Sequence, residues 1–290
     1  MAIQTATTGQ LENAQRIIIG EVRYASEHNA PCVNLIEHFT LKQGEKQYTV
    51  PFVGQMEMDN LVDGAPMVNP KDIGMTTVDL TTGEAGLFVV LTDKLLRQEA
   101  TSPFQIVGQQ MGDAKARKQD RDVIALFAAL NSGTVFGADN KNMTLANVGA
   151  CIANAKSKKF PSPMSIVHHP NAVYALTTAM TITPGSTYPF PKGFSEDLLS
   201  DFYRIKLNQI PIFEDGNIDK LSGYDSGYGA IFSKSAMCIV ESQAPDVRRQ
   251  EDILLRGWIV RLVCDYGVFE LDDTQGAPLQ YEISDPSTSA

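Results

Sequence analysis

The sequence predicts an α+β fold in which an extended two-stranded excursion, one long helix, an α/β lobe and a β-rich end follow in order. Three observations lead there. Residues 48–91 alternate or run apolar on either side of a segment crowded with Gly and Pro. Residues 102–131 carry helical stripes with a start and a stop signal. Residues 236–283 hold long β-prone runs, whereas 144–235 mix helix and strand patterns.

The first element is an amphipathic helix over Gln10–Glu27, with Leu11, Ile18 and Val22 on one stripe and Pro31 breaking the pattern. Tyr48, Val50 and Phe52 alternate as in a strand, and Pro51 suggests an edge position. Gly54–Gly74 has Gly54, Gly64, Pro66, Pro70 and Gly74, four acidic residues (Glu57, Asp59, Asp63, Asp72) and the apolar Met56, Met58, Leu61, Val62, Met67 and Val68. Such a segment cannot bury much within itself. A second extended stretch, Met75–Leu91, leads back.

The long helix spans Ser102–Asn131. Ser102 suits the N-cap, Pro103 the first turn, and Asn131-Ser132-Gly133 ends it. Asp113–Asp122 alternates acids and bases, with Asp113/Arg117 and Lys118/Asp122 at i,i+4, and reads as a solvated face. In the α/β part, Thr144–Lys158 is a helix, Met164–His168 a buried strand, and Pro170 opens another helix with Val173 and Leu176. Thr181–Gly193 is a loop and Glu196–Tyr203 a short helix; Gln209–Glu214 and Gly229–Phe232 are strands. At the end, Met237–Val240 is one strand and Leu254–Asp265 another, with Trp258, Val260, Leu262 and Cys264 on one face. Asp265-Tyr266-Gly267 turns the chain into Val268–Leu271.

Composition excludes several classes. The 290 residues include 24 Lys and Arg against 34 Asp and Glu, a formal net charge of -10. That balance disfavours a protein that grips nucleic acid by neutralising phosphates. The longest apolar run, Val123–Leu130, is far short of the roughly 18 residues a membrane helix needs, so no membrane partner is expected. The polar start, Met1–Gln10, lacks the pattern of a signal peptide and points to a cytoplasm. Cys32, Cys151, Cys238 and Cys264 form no Cys-x-x-Cys pair and read as buried free thiols, with no zinc site.

Catalytic signatures are sparse. There is no phosphate loop, no Gly-x-Gly-x-x-Gly fingerprint and no His-Glu-x-x-His. His168-His169 ends a strand, but neighbours on a strand face opposite ways and no third ligand is visible. Gly223-Tyr224-Asp225-Ser226-Gly227 offsets its serine from a nucleophile elbow and reads as a Gly-rich turn. Hence no catalytic residue, cofactor or metal site is assigned and no enzyme is expected. A soluble hydrolase using Ser226 or His168/His169 is the competing reading from outside that class.

The order of parts resembles the major capsid protein of tailed bacteriophages, the Hong Kong 97-type fold. "MTTVDLTTGEAGLFVVLTDKLL" (Met75–Leu96) looks like the returning strand of that family's E-loop, and Gln105–Leu130 like its spine helix. "TLANVGACIANAKSKKFPSPMSIVHHPNAVYAL" (Thr144–Leu176) is similar to its axial-domain helix, strand and following helix. "IPIFED" and "YGAIFSKSAMCIVESQAPDVRRQEDILLRGWIVRLVCDYGVFEL" are similar to the axial-domain exit and the peripheral strands.

The resemblance implies an N-terminal arm (1–39), an E-loop (40–91), a peripheral domain with the spine helix (92–143), an axial domain (144–235), and peripheral strands with a C-terminal tail (236–290). It implies subunits closing into hexamers and pentamers of an icosahedral shell around double-stranded DNA, without sequence-specific binding. Met56, Met58, Leu61, Val62, Met67 and Val68 would then be inter-subunit residues of the E-loop. The implied partners are further copies, a separate scaffolding protein (little chain precedes the E-loop), a portal protein at one vertex, and in some shells a decoration or cement protein. The expected location is the virion, assembled in the host cytoplasm. An encapsulin, a compartment holding a cargo enzyme, is the alternative on the same fold.

Overall fold

The computed structural model describes residues 31–42, 44–53, 58, 60, 63, 72, 74–98, 103–180 and 205–288. The expected helix over Gln10–Glu27, Ser102, the Thr181–Gly193 loop and the Glu196–Tyr203 helix lie outside them. In chain order the elements are α1 (Cys32–Leu35), β1 (Glu37–Thr40), β2 (Gln47–Val53), β3 (Met75–Thr81), β4 (Gly83–Thr92), α2 (Asp93–Gln98), α3 (Pro103–Phe127) and β5 (Phe136–Gly137). There follow α4 (Leu145–Ser157), β6 (Met164–His168), α5 (Pro170–Met180), β7 (Ile205–Leu207), β8 (Ile210–Glu214), β9 (Ser226–Ser233), β10 (Met237–Asp252), β11 (Gly257–Glu270) and β12 (Gly276–Glu282).

Three sheets result: a six-stranded sheet β5-β12-β9-β6-β8-β7, a four-stranded sheet β1-β10-β11-β4, and the β2–β3 hairpin. Strand alternation divides the six-stranded sheet's side chains between two cores. Ile166 of β6 and Ile231 of β9 join Val148, Ile152, Val173 and Leu176 of α4 and α5 on one face. Their neighbours Val167, Ala230 and Phe232 join Val123, Phe127, Cys32 and Ile36 on the other. The carboxyl half of α3 and the segment from Cys32 thus cover the face that α4 and α5 leave open. Among the described residues, no helix is long and apolar enough to cross a membrane.

Local chemistry accounts for the helix ends. Thr144 caps α4 by accepting the Asn147 N–H, and Pro170 starts α5 where its missing N–H costs nothing. α3 begins at Pro103, as the sequence indicates. It stops at Phe127, earlier than expected, and a 3₁₀ turn follows in which Asn131 and Ser132 adopt left-handed φ of 55° and 51°. Asn side chains tolerate that conformation better than most.

The β-rich end departs from the sequence reading. β10 runs sixteen residues rather than ending at Val240, because β11 pairs with it along the whole length. Its outer half is polar, a pattern that reads as loop until a partner strand supplies the hydrogen bonds. β11 begins at Gly257, since Ile253–Arg256 form the turn, and it continues through Asp265-Tyr266-Gly267, where a turn was expected. Those residues stay in register with Gly83 and Glu84 of β4 and with Val240, Glu241 and Gln243 of β10. Trp258, Val260, Leu262 and Cys264 do share one face, and the last three are buried. Similarly, Met75–Leu91 is not one strand. It breaks at Thr82 into β3, paired with β2, and β4, paired with β11.

Candidate functional site

Of the six residues assigned to inter-subunit contact, Met56, Leu61, Val62, Met67 and Val68 lie outside the described residues. Met58 is 99% exposed. The hairpin carrying this segment is anchored at its base, where Leu80, Tyr48, Val50 and Val78 pack on Cys238, Val240 and Phe269. Phe39 stacks on Tyr48 with ring centroids 4.8 Å apart. Toward Met75 the hairpin loses that support, and β3 is exposed apart from Val78 and Leu80.

A second exposed apolar surface escaped the sequence reading. Ile253 and Leu254, in the β10–β11 turn, are 84% and 94% exposed. Farther back on the strands, Leu87 and Val247 are exposed on one face of the sheet, both opposite Leu262, and Phe88 is exposed on the other. The signal was there: three adjacent aliphatic residues, Ile253–Leu255, stand between Asp252 and Arg256, and the expected strand took in Leu254 and Leu255. Beneath, α3 packs through Phe104, Val107 and Met111 on Leu91, Val260 and Leu262. The Arg249 guanidinium lies 5.9 Å from the rings of both Phe104 and Trp258.

Of the residues considered for catalysis, His168 and Ser226 are interior and His169 is half-buried. His168 is fully buried; its Nδ1 accepts the His169 N–H at 2.9 Å, and Nε2 has no hydrogen-bond partner among the described residues. Burial pushes its pKa down to about 3, so the ring is neutral. Gly229 makes room for it: a Cβ there would stand 2.4 Å from His168 Cδ2 and from the Val167 carbonyl oxygen. Ser226 is buried at the start of β9, not on a turn, and its Oγ accepts a hydrogen bond from Gln280 Nε2 at 2.8 Å. Among the described residues no hydrogen bond joins it to His168.

The four cysteines are buried and free, as expected. Two other expectations need correction. The charged stretch of α3 is not wholly solvated, because Asp120 is completely buried and Gln119 nearly so. And Cys32, read as a buried free thiol with no clustered ligands, meets two carboxylates. Its sulfur donates to Asp215 Oδ2 and its backbone N–H to Asp120 Oδ1, both at 3.2 Å. Asn217 closes the cluster, donating its N–H to Asp215 Oδ1 (2.8 Å) and its Nδ2–H to Asp120 Oδ2 (3.0 Å). The Cys32 sulfur and the two carboxylates lie within 4.8 Å of one another. Each is engaged by hydrogen bonds within the protein. Helical spacing shows which face Asp120 occupies only once it is known that residues 32 and 215 arrive there.

The comparisons with known proteins agree with this architecture. A chain of Mycobacterium phage Che8 is similar at TM-score 0.62 and 16% identity, over 81% of this chain and 84% of that one. The capsid of a native GTA particle is similar at TM-score 0.69 and 12% identity, over 92% and 98%. The SrpI encapsulin of Synechococcus elongatus is similar at TM-score 0.64 and 11% identity, over the full length of both chains. These likenesses define the class of the molecule: a Hong Kong 97-type capsid fold. Among curated protein sequences nothing matches. A family model described as phage capsid protein matches residues 75–277, and the chain belongs to that family. Its role is structural, that of a phage major capsid protein, and not enzymatic.

Proposed function

We propose that this capsid protein closes into hexamers and pentamers of an icosahedral shell around packaged double-stranded DNA in the virion of a tailed phage. The observation that carries the reading is the family match across residues 75–277. The division into N-terminal arm, E-loop, peripheral and axial domains at 1–39, 40–91, 92–143, 144–235 and 236–290 belongs to the same proposal. So do a separate scaffolding protein, a portal protein, a decoration or cement protein, and assembly in the host cytoplasm. The net charge of -10 suits a coat that does not hold its genome tightly.

The 54–74 segment is the proposed inter-subunit element. Met56, Met58, Leu61, Val62, Met67 and Val68 give it apolar surface, while its Gly and Pro residues deny it a core of its own. Burying four such side chains yields about 6 to 12 kcal/mol gross, at roughly 1.5 to 3 kcal/mol each. Ordering the segment costs more, about 20 to 40 kcal/mol of backbone entropy at roughly 1 to 2 kcal/mol per residue, so these side chains do not order it by themselves. A neighbouring copy supplies the covering surface, and many repeated contacts then act together.

The test is to replace residues 54–74 by a short Gly-Ser turn and to image the product by negative-stain microscopy after co-expression with a candidate scaffold. The expected outcome is a folded, soluble subunit that forms no stable shells. Normal particles from the deletion would overturn the assignment. The full-length likeness to an encapsulin supports a second reading, a cargo compartment. Nuclease-protected DNA inside purified particles favours the first reading, and a co-purifying enzyme the second.

A further inference from the structure

Three stretches of chain that are distant in sequence meet at the buried cluster of Cys32, Asp120, Asp215 and Asn217. α1 brings the Cys32 thiol and backbone N–H, α3 brings Asp120, and the loop after β8 brings Asp215 and Asn217. Cys32, Asp120 and Asp215 are all buried. Two carboxylates sit there, and among the described residues no Lys, Arg or His pairs with either. The other elements packed on this part of α3 direct their polar groups elsewhere. Glu241 of β10 takes Lys115 and Gln119, Tyr266 of β11 donates to Asp122, and β9 offers the apolar Ala230 and Phe232.

Two carboxyl groups sharing a dry site cannot both ionise without strong repulsion, so one proton stays with the pair. Cys32 then bridges them, its thiol on one and its amide on the other. The segment it begins is completely buried at Cys32 and Ile36 and continues into β1, which pairs with β10 in parallel.

We infer that this cluster is a proton-held latch. With one proton on the Asp120–Asp215 pair it clamps residues 32–36 between α3 and the loop after β8. Loss of that proton loosens the clamp on residues 32–36 and on the β1 strand that follows them. The device is independent of the assembly reading, since every group in it belongs to one subunit.

The direction of the pH effect follows from the cluster. Burial, then hydrogen bonding and repulsion from Asp215, raise the Asp120 carboxyl to about 7. An exposed aspartate titrates near 4. Between about 4 and 7 the closed form therefore holds a proton that the open form has lost. Opening grows more favourable as pH rises through that window and levels off above it.

Hydrogen exchange on the purified full-length protein tests this. Exchange of a peptide covering residues 31–41 is read at pH 5, 6, 7 and 8 in the wild type and in Asp120→Asn, which keeps the shape and removes the charge. Taking the ratio of the two rates at each pH cancels the chemical pH dependence of exchange. The wild-type/variant ratio is expected to rise at least tenfold between pH 5 and 7 and to stay level to pH 8. Asp120→Ser, which also removes the charge, serves if Asp120→Asn folds poorly; Asp215→Asn leaves Asp120 buried and should keep a smaller rise. A ratio that does not change with pH would overturn the latch. So would protection at constant pH that appears with added zinc and vanishes with EDTA, because a metal rather than a proton would then hold the pair.

Discussion

β9 buries seven of its eight residues, whereas β10 buries Met237–Val240 and nothing further through Asp252. Both strands are long, and both are hydrogen-bonded on their neighbours. They differ in what lies above and below. β9 sits in the middle of the six-stranded sheet, with α4 and α5 on one face and α3 on the other. Beyond Glu241, β10 has lost its β1 neighbour and becomes an edge. There the ladder with β11 slips twice, between Glu241, Gln243 and Asp246, around Pro245. Proline, register slips and a run of charges (Asp246, Arg248, Arg249, Glu251, Asp252) are the means by which open edges avoid indiscriminate pairing. Yet the ribbon ends in the fully displayed Ile253 and Leu254. The contrast sets strands enclosed between packed helices against a ribbon whose tip displays apolar side chains.

Substitutions in the two regions should therefore differ in size and in kind. The largest effect belongs to the enclosed core. Phe232→Ala removes a fully buried ring that packs 5.7 Å from Phe127. It should cost about 3–5 kcal/mol in urea unfolding of the subunit. A loss under about 1 kcal/mol would mean that this core is far looser than the contacts indicate.

The next effect is acid sensitivity from the opposite face of the same sheet, where His168 packs near Tyr281. His168 is held near pKa 3, below its unfolded value of about 6.5. Its contribution to stability is present above pH 6.5 and is lost as the pH falls from there toward 3. Between pH 7 and 5 this removes about 2 kcal/mol. Asp120 acts in the opposite sense, its contribution being lost as pH rises from about 4 to 7. The Asp120→Asn variant should therefore show the full acid loss, and the wild type a shallower one. Urea midpoints at pH 5 and 7 for both proteins check the sign.

At the junction of the regions, Arg249→Ala should cost about 1 kcal/mol, from lost stacking over Phe104 and Trp258. Equilibrium unfolding with tryptophan fluorescence reads this directly, because Trp258 is the only tryptophan. The smallest effect on the subunit lies at the ribbon tip. Replacing Ile253 and Leu254 by Ser should change unfolding by less than about 0.5 kcal/mol. The same double variant should reduce the yield of assembled particles in sedimentation. Unchanged yield would show that the tip is a solvated turn.

Much of the six-stranded region was legible beforehand. β6 and the starts of α3 and α5 fall where the sequence puts them, because Pro103 and Pro170 mark helix starts and an apolar run such as Met164–Val167 admits few readings. The four-stranded sheet was harder. Residues 241–252 lack an apolar period, and only the antiparallel partner β11 makes them a strand. Asp265-Tyr266-Gly267 carries turn chemistry, yet two flanking strands keep it extended. The buried cluster was least visible of all, since Asp120 stands in a run of surface-type charges and Asp215 and Cys32 are 95 and 88 residues away from it along the chain.

By itself the sequence determined what local forces can encode: where helices start, which residues alternate, and which catalytic motifs are missing from it. Tertiary structure decided everything that needs two distant segments at one place. It drew β10 out to sixteen residues, enclosed His168 beside Gly229, and turned Asp120 inward against Asp215 and Cys32. The physical reason is range. Caps, turns and periodicity act over a few residues, whereas desolvation and strand pairing depend on which other parts of the chain arrive, and a single stretch of sequence carries no record of its partner.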